Sequence, residues 1–135
     1  MRDTLKTLIC YYHGIDGPTI RIDVKTREWL VYFKKCILSL AEEEIQAINI
    51  NCLDNVVIDN LKSITLVKVR RKKFSSVSLV NNCFTWSQDT EEFVTLMGLI
   101  DGLLEGIGSG HQYLDSDGDN VSIILALNEL GHQKC

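Results

Sequence analysis

The sequence predicts an α+β fold: a mainly antiparallel sheet of about five to six strands with two amphipathic helices packed on one face. Three observations carry this expectation. Two segments repeat apolar residues at helical spacing. Several others alternate apolar and polar residues, or run apolar in β-branched and aromatic types, between turn signals. The order reads β-β-α-β-β-β-α-β, so the helices are not strictly interleaved with strands. The 135 residues suit one domain spanning 1–135.

Residues 5–12 are β-rich, and Gly14-Ile15-Asp16-Gly17-Pro18 is a turn. In 19–24, Ile20, Ile22 and Val24 alternate with Thr19, Arg21 and Asp23, the pattern of a half-buried strand. The two strands are expected to pair as an antiparallel hairpin. Thr26 is placed to cap a helix over 26–43, in which Trp29, Leu30, Phe33, Ile37 and Leu40 form the apolar stripe. Glu42-Glu43-Glu44 falls where the helix macrodipole disfavours acids, so the helix stops early or those acids have another use.

Residues 45–50 read as a short strand and 51–60 as a loop. A strand over 64–69 meets a turn at Arg70-Arg71-Lys72-Lys73, and 77–86 reads as a strand pairing back across it. Asp89-x-x-Glu92 is a capping-box start for the second helix. Phe93, Met97, Ile100, Leu104 and Ile107 form its stripe, widened by Leu96 and Leu103, and Gly108-Ser109-Gly110 ends it. His111 to Leu114 leads to a turn over 115–120. Residues 121–127 are the closing strand and 128–135 a tail.

Composition narrows the function. Hydrophobic residues make up 45% and charged residues 24%, which excludes a disordered chain. No run of about 18 apolar residues is present, so no membrane span is expected, nor does the start read as a secretory signal. Net charge is −4, but it is unevenly spread. Residues 1–73 hold 13 bases and 9 acids, a surplus of +4; residues 74–135 hold one base, Lys134, and 9 acids, a surplus of −8. Gathered on one face, such a surplus steers a basic partner; dispersed, it only keeps the surface hydrated.

The five cysteines, at 10, 36, 52, 83 and 135, are scattered and form no C-x-x-C pair. That pattern predicts neither a disulfide framework nor a zinc site and suits a reducing cytoplasm. Cys10 and Cys36 read as small core residues.

Other motifs fall short of their templates. Asp115-x-Asp117-x-Asp119 opens like a calcium loop, but the sixth and twelfth positions hold Asn120 and Ala126, leaving a solvated turn. Gly98, Gly102 and Gly106 repeat every four residues in the second helix, and either close packing against the sheet or another chain, the favoured reading, or a frayed, adaptable helix end would explain that cost. Asp101 and Glu105 share a helix face as a carboxylate pair. The basic cluster at 70–73 lacks the interleaved aromatics and basic domain of a nucleic-acid site and reads as a hairpin tip. No histidine pairing, G-x-S-x-G, P-loop or dinucleotide motif is present. No catalytic residue, metal or cofactor is therefore expected.

The segment Gly110-His111-Gln112-Tyr113-Leu114-Asp115, between an amphipathic helix and a closing strand, resembles the C-terminal part of small bacterial immunity proteins of polymorphic toxin systems, including contact-dependent growth inhibition. Trp86-Ser87 and Asn128-Glu129 fit the same pattern. The likeness covers about the last 50 residues, and Leu130-Gly131-His132 departs from the further aromatic or acidic residues expected near the end. The resemblance implies a cytoplasmic antitoxin, without catalysis, that blocks the toxic C-terminal domain of a cognate partner, often a nuclease. A basic nuclease would complement the acidic half. The expected contacts are Asp101, Glu105, Asp115, Asp117, Asp119 and Glu129, with Tyr113 as aromatic anchor. Direct nucleic-acid and membrane contacts are not expected, and the chain is expected to be a monomer or weak homodimer. The alternatives are a self-associating assembly module using the glycine-lined helix, and a ligand-binding or enzymatic domain with His and Cys converging in a pocket.

Overall fold

Both helices begin where their caps place them. In the computed structural model, which describes residues 6–14, 17–69, 77–106, 110–113 and 121–127, the elements are β1 (Thr7–Gly14), β2 (Gly17–Val24), α1 (Arg27–Ala41), β3 (Ala47–Asn49), a 3-10 turn (Ile50–Cys52), β4 (Val56–Asp59), β5 (Ser63–Lys68), β6 (Val77–Val80), β7 (Cys83–Gln88), α2 (Thr90–Glu105), β8 (Gly110–Tyr113) and β9 (Ser122–Leu127). Thr26 Oγ1 accepts the Trp29 N–H at 3.1 Å. At α2 the capping box closes in both directions: Asp89 Oδ1 accepts from the Glu92 N–H, and Glu92 Oε1 from the Asp89 N–H, each at 2.9 Å.

The class is α+β, as expected, but the sheet is divided. The described strands form a five-stranded sheet, β4-β1-β2-β9-β8, and a four-stranded sheet, β3-β5-β7-β6. Neither is purely antiparallel. β1–β2, β3–β5, β6–β7 and β8–β9 pair antiparallel, while β1–β4, β2–β9 and β5–β7 pair parallel. The β1–β2 hairpin is the one predicted, with Ile9 opposite Ile22 and Tyr11 opposite Ile20.

Asparagines account for two departures. Asn81 and Asn82 both take positive φ, 53° and 64°, so the predicted strand over 77–86 folds into the β6–β7 hairpin instead of pairing back across 70–73. Two consecutive left-handed residues are what a tight hairpin turn requires, and asparagine tolerates them best after glycine. The expected loop at 51–60 contains β4, bracketed by Asn55 and Asn60 at φ 60° and 63°. The basic cluster at 70–73 lies outside the described residues.

α1 ends at Ala41, and Glu43 turns left-handed at φ 63°. Lys68 of β5 donates to the Ala41 carbonyl at 2.7 Å and to Glu43 Oε2 at 3.0 Å. A cation from the second sheet thus serves the negative helix end and one of the acids that follow it.

The two helices pack on each other and both touch the first sheet, as expected, but α1 also touches the second. α1 contacts β2 of the first sheet and β3 and β5 of the second, while α2 packs on α1 and β8. One core joins all of these layers. It draws Ile9, Ile20, Ile22, Val24, Ile123, Leu125 and Leu127 from the first sheet and Ile48, Ile64, Leu66, Phe84 and Trp86 from the second. Both helix stripes enter it: Trp29, Leu30, Phe33, Ile37 and Leu40 from α1, and Phe93, Leu96, Ile100 and Leu103 from α2. Met97 and Leu104 are only partly buried, and Ile107 lies outside the described residues. Trp29 stacks on Phe33 at 5.1 Å and donates its indole N–H to the Asp54 carbonyl at 2.9 Å. Each fully buried large apolar side chain contributes about 1.5–3 kcal/mol.

Three expectations fail in the details. The polar face of β2 is not solvated: Thr19, Arg21 and Asp23 are 4%, 6% and 2% exposed. The glycine repeat does not pack against the sheet, for Gly98, Gly102 and Gly106 are all exposed and a Cβ on Gly98 would meet open space. Cys10 is buried, as read, but it is disulfide-bonded; Cys36, Cys52 and Cys83 are free.

Candidate interaction surface

The helix pair presents a concave surface. α1 and α2 run antiparallel, because Arg27 at the start of α1 donates to the Leu104 carbonyl near the end of α2, and Lys34 one turn pair later meets Asp101 Oδ1 at 2.6 Å. α2 has no basic residue in its own last turn. Arg27 supplies that charge from the neighbouring helix and satisfies a terminal carbonyl.

Beside the Arg27–Leu104 contact lies a groove of about 540 Å³, lined by Arg27, Glu28, Val31, Tyr32, Lys35 and Leu104. A hollow of about 300 Å³ adjoins it, sharing Glu28 and Tyr32 and adding Trp29, Asp54 and Asn55. Val31 is 41% exposed, and Leu38 continues the apolar strip two turns along. Burial holds the Tyr32 phenol above its ordinary pKa, with a hydrogen bond to the Asp54 backbone pulling the other way. Burial also raises the Cys36 thiol, partly offset by its hydrogen bond with Tyr32. A raised thiol stays protonated near neutrality, which makes Cys36 a poor nucleophile. The lining therefore combines an aromatic ring, aliphatic surface and charges of both signs.

The sequence-predicted contacts fare unevenly. Asp101 is half-exposed but paired with Lys34. Glu105, one turn on, is exposed at the end of α2, next in sequence to the groove residue Leu104. Tyr113 stands in β8 opposite Ile124, on the strand that α2 contacts; its side chain is outside the described part. Asp115, Asp117, Asp119 and Glu129 also lie outside the described residues. Asp101 and Glu105 are thus brought together on one helix, and nothing described gathers the full set. Of the five described acids in the acidic half, Asp89 and Glu92 serve the cap and Asp101 the helix pair, leaving Glu91 and Glu105 on the open surface.

Arg27, Val31, Tyr32 and Lys35 were not among the predicted contacts. Their signal was present: Val31 and Leu38 are apolar, seven apart, and off the buried stripe of α1. Among the described residues, no group of three or more His, Cys, Asp or Glu side chains is placed to hold a metal ion. No described helix is long and apolar enough to cross a membrane. No family model matches the chain, and neither a curated protein nor a solved structure matches it.

Proposed function

We propose that the protein is an immunity protein: a stoichiometric antitoxin that binds the toxic C-terminal domain of a cognate partner and occludes its active site or substrate groove. The observation that carries this reading is the outward face of the helix pair. There Tyr32 and Val31 stand among Arg27, Lys35 and Glu28, the mixture of aromatic anchor, arginine and apolar floor from which protein-docking patches are built. The resemblance of the 110–115 segment supports the same class. So does the acidic surplus of residues 74–135, which favours a basic partner such as a nuclease.

In this reading the groove supplies the anchors that slow dissociation. Glu91, Glu105 and the acids at 115, 117, 119 and 129 accelerate encounter, with Tyr113 as a further anchor. Asp101 acts through α1, by holding Lys34. The protein catalyses nothing itself and touches neither nucleic acid nor membrane. It works in the cytoplasm, where a toxin meets its target. Three free cysteines suit that compartment, whereas the disulfide at Cys10 does not.

Co-expression with the toxic domain encoded beside it tests the class. Host survival and a 1:1 complex are expected; death of the host with both proteins present would overturn it. A second reading, self-association, is favoured by one observation: Val94, Gly98 and Gly102 form an exposed lane along α2. Sedimentation decides that point, a strict monomer removing it.

A further inference from the structure

The hollow beside the groove differs from it in charge. The groove is lined by two bases, Arg27 and Lys35, and one acid, Glu28. The hollow, of about 300 Å³, is lined by two acids, Glu28 and Asp54, and among the described residues no base lines it. Trp29 and Tyr32 form its walls, with ring centroids 6.3 Å apart and planes inclined at 73°. Thr26 and Asn55 add neutral polar groups.

Nearby bases are engaged elsewhere. Arg27 donates to the Leu104 carbonyl, Lys25 meets Asp23, and Lys34 meets Asp101. Glu28 and Asp54 are both exposed, and the ion pairs among the described residues include neither. Glu28 stands in the first turn of α1, where the helix dipole favours an acid. Asp54, between the 3-10 turn and β4, has no such support.

Asp54 is nevertheless held in place. Its carbonyl accepts the Trp29 indole N–H at 2.9 Å, and its backbone hydrogen-bonds the Tyr32 phenol. The two rings that wall the hollow thus fasten the loop that brings the second acid to it. A recess fixed in this way loses little freedom when it is filled.

We propose that the hollow seats an arginine side chain of a protein partner. Its size suits one side chain, because ligand pockets begin at about 300 Å³. A guanidinium is planar, stacks on aromatic faces and presents a fork of donors to carboxylates. A cation within about 6 Å of a Trp or Tyr ring centre is attracted by the ring quadrupole. Lysine carries the charge without the plane or the fork. The inference rests on the docking reading above for the source of the arginine. It adds to that interface a cationic contact that the groove, with its own two bases, does not supply.

A titration of the full chain tests the hollow without the partner. The isotope-labelled protein is titrated with N-acetyl-arginine amide at low ionic strength, and the indole N–H resonance of Trp29 reports on the wall. A saturable shift is expected. The neutral isostere N-acetyl-citrulline amide should bind at least about fivefold more weakly, as should the arginine probe to the double variant Glu28→Gln, Asp54→Asn, the scale set by exposed charge contacts. N-acetyl-lysine amide should also bind more weakly than the arginine probe. Both substituted side chains are exposed and the Asp54 backbone bonds are kept, so the melting temperature should not change. No saturable shift, equal binding of the citrulline probe, undiminished binding by the double variant, or lysine binding as tight as arginine would overturn the proposal. Its failure is distinguishable from failure of the antitoxin reading, which co-expression with the toxic domain judges separately.

Discussion

The two sides of α1 teach different lessons. Inward, Trp29, Leu30, Phe33, Ile37 and Leu40 are buried against both sheets and α2. Outward, Arg27, Glu28, Val31, Lys35 and Leu38 are exposed, with Tyr32 half-buried at the margin. The inward side joins two sheets that share no strand, so its residues fix the fold. The outward side has aliphatic and charged surface that the fold does not use. Stability should therefore respond to substitutions on one side and binding to substitutions on the other.

The largest effect is expected inside. Phe33→Ala should lower unfolding stability by about 3–5 kcal/mol, because a fully buried ring leaves a cavity at the junction of the layers. Denaturant titration measures it, and a loss under 1 kcal/mol would break the contrast between the two sides.

Asp89→Ala should cost about 1 kcal/mol by opening the capping box at α2. The paired change Val31→Asp and Lys35→Glu should stay within about 0.5 kcal/mol of the parent, as exposed positions do. A larger loss would mean that the outward side also carries the fold. The smallest effect concerns rate. Cys36 should react with a thiol reagent more slowly than exposed Cys52 and Cys83 at neutral pH, and its lag should shrink above pH 9, as the raised thiol finally ionises.

Local signals were readable where local chemistry decides. Thr26 and the Asp89–Glu92 pair start the helices, and period-3.6 stripes pick out their buried faces. The β1–β2 hairpin follows from two adjacent β segments and a short turn. The division into two sheets was not readable, because the parallel pairs β2–β9 and β1–β4 join segments far apart in sequence. Asn81-Asn82 was a local signal that went unread: asparagine at both turn positions splits an apolar run that otherwise looks continuous. The outer side of β2 is buried although its sequence alternates, because alternation alone cannot distinguish water from a cover.

The candidate surface divides in the same way. Asp101 and Glu105 share a helix face by spacing alone, but that Lys34 takes up Asp101 depends on how α1 docks against α2. A count of acids overstates the open negative surface, since Asp89, Glu92 and Asp101 are engaged within the fold. Arg27, Val31 and Lys35 recur every four residues along α1, but that Leu104 joins them in a groove depends on how α2 docks.

The most direct test is the affinity of the purified chain for the toxic domain encoded beside it, measured for the parent and for the Val31→Asp, Lys35→Glu variant in parallel with their melting temperatures. The account predicts a tight 1:1 complex for the parent and affinity at least about tenfold weaker for the variant, or about 1.4 kcal/mol, at unchanged melting temperature. Equal affinities, or no complex with the parent, would contradict it.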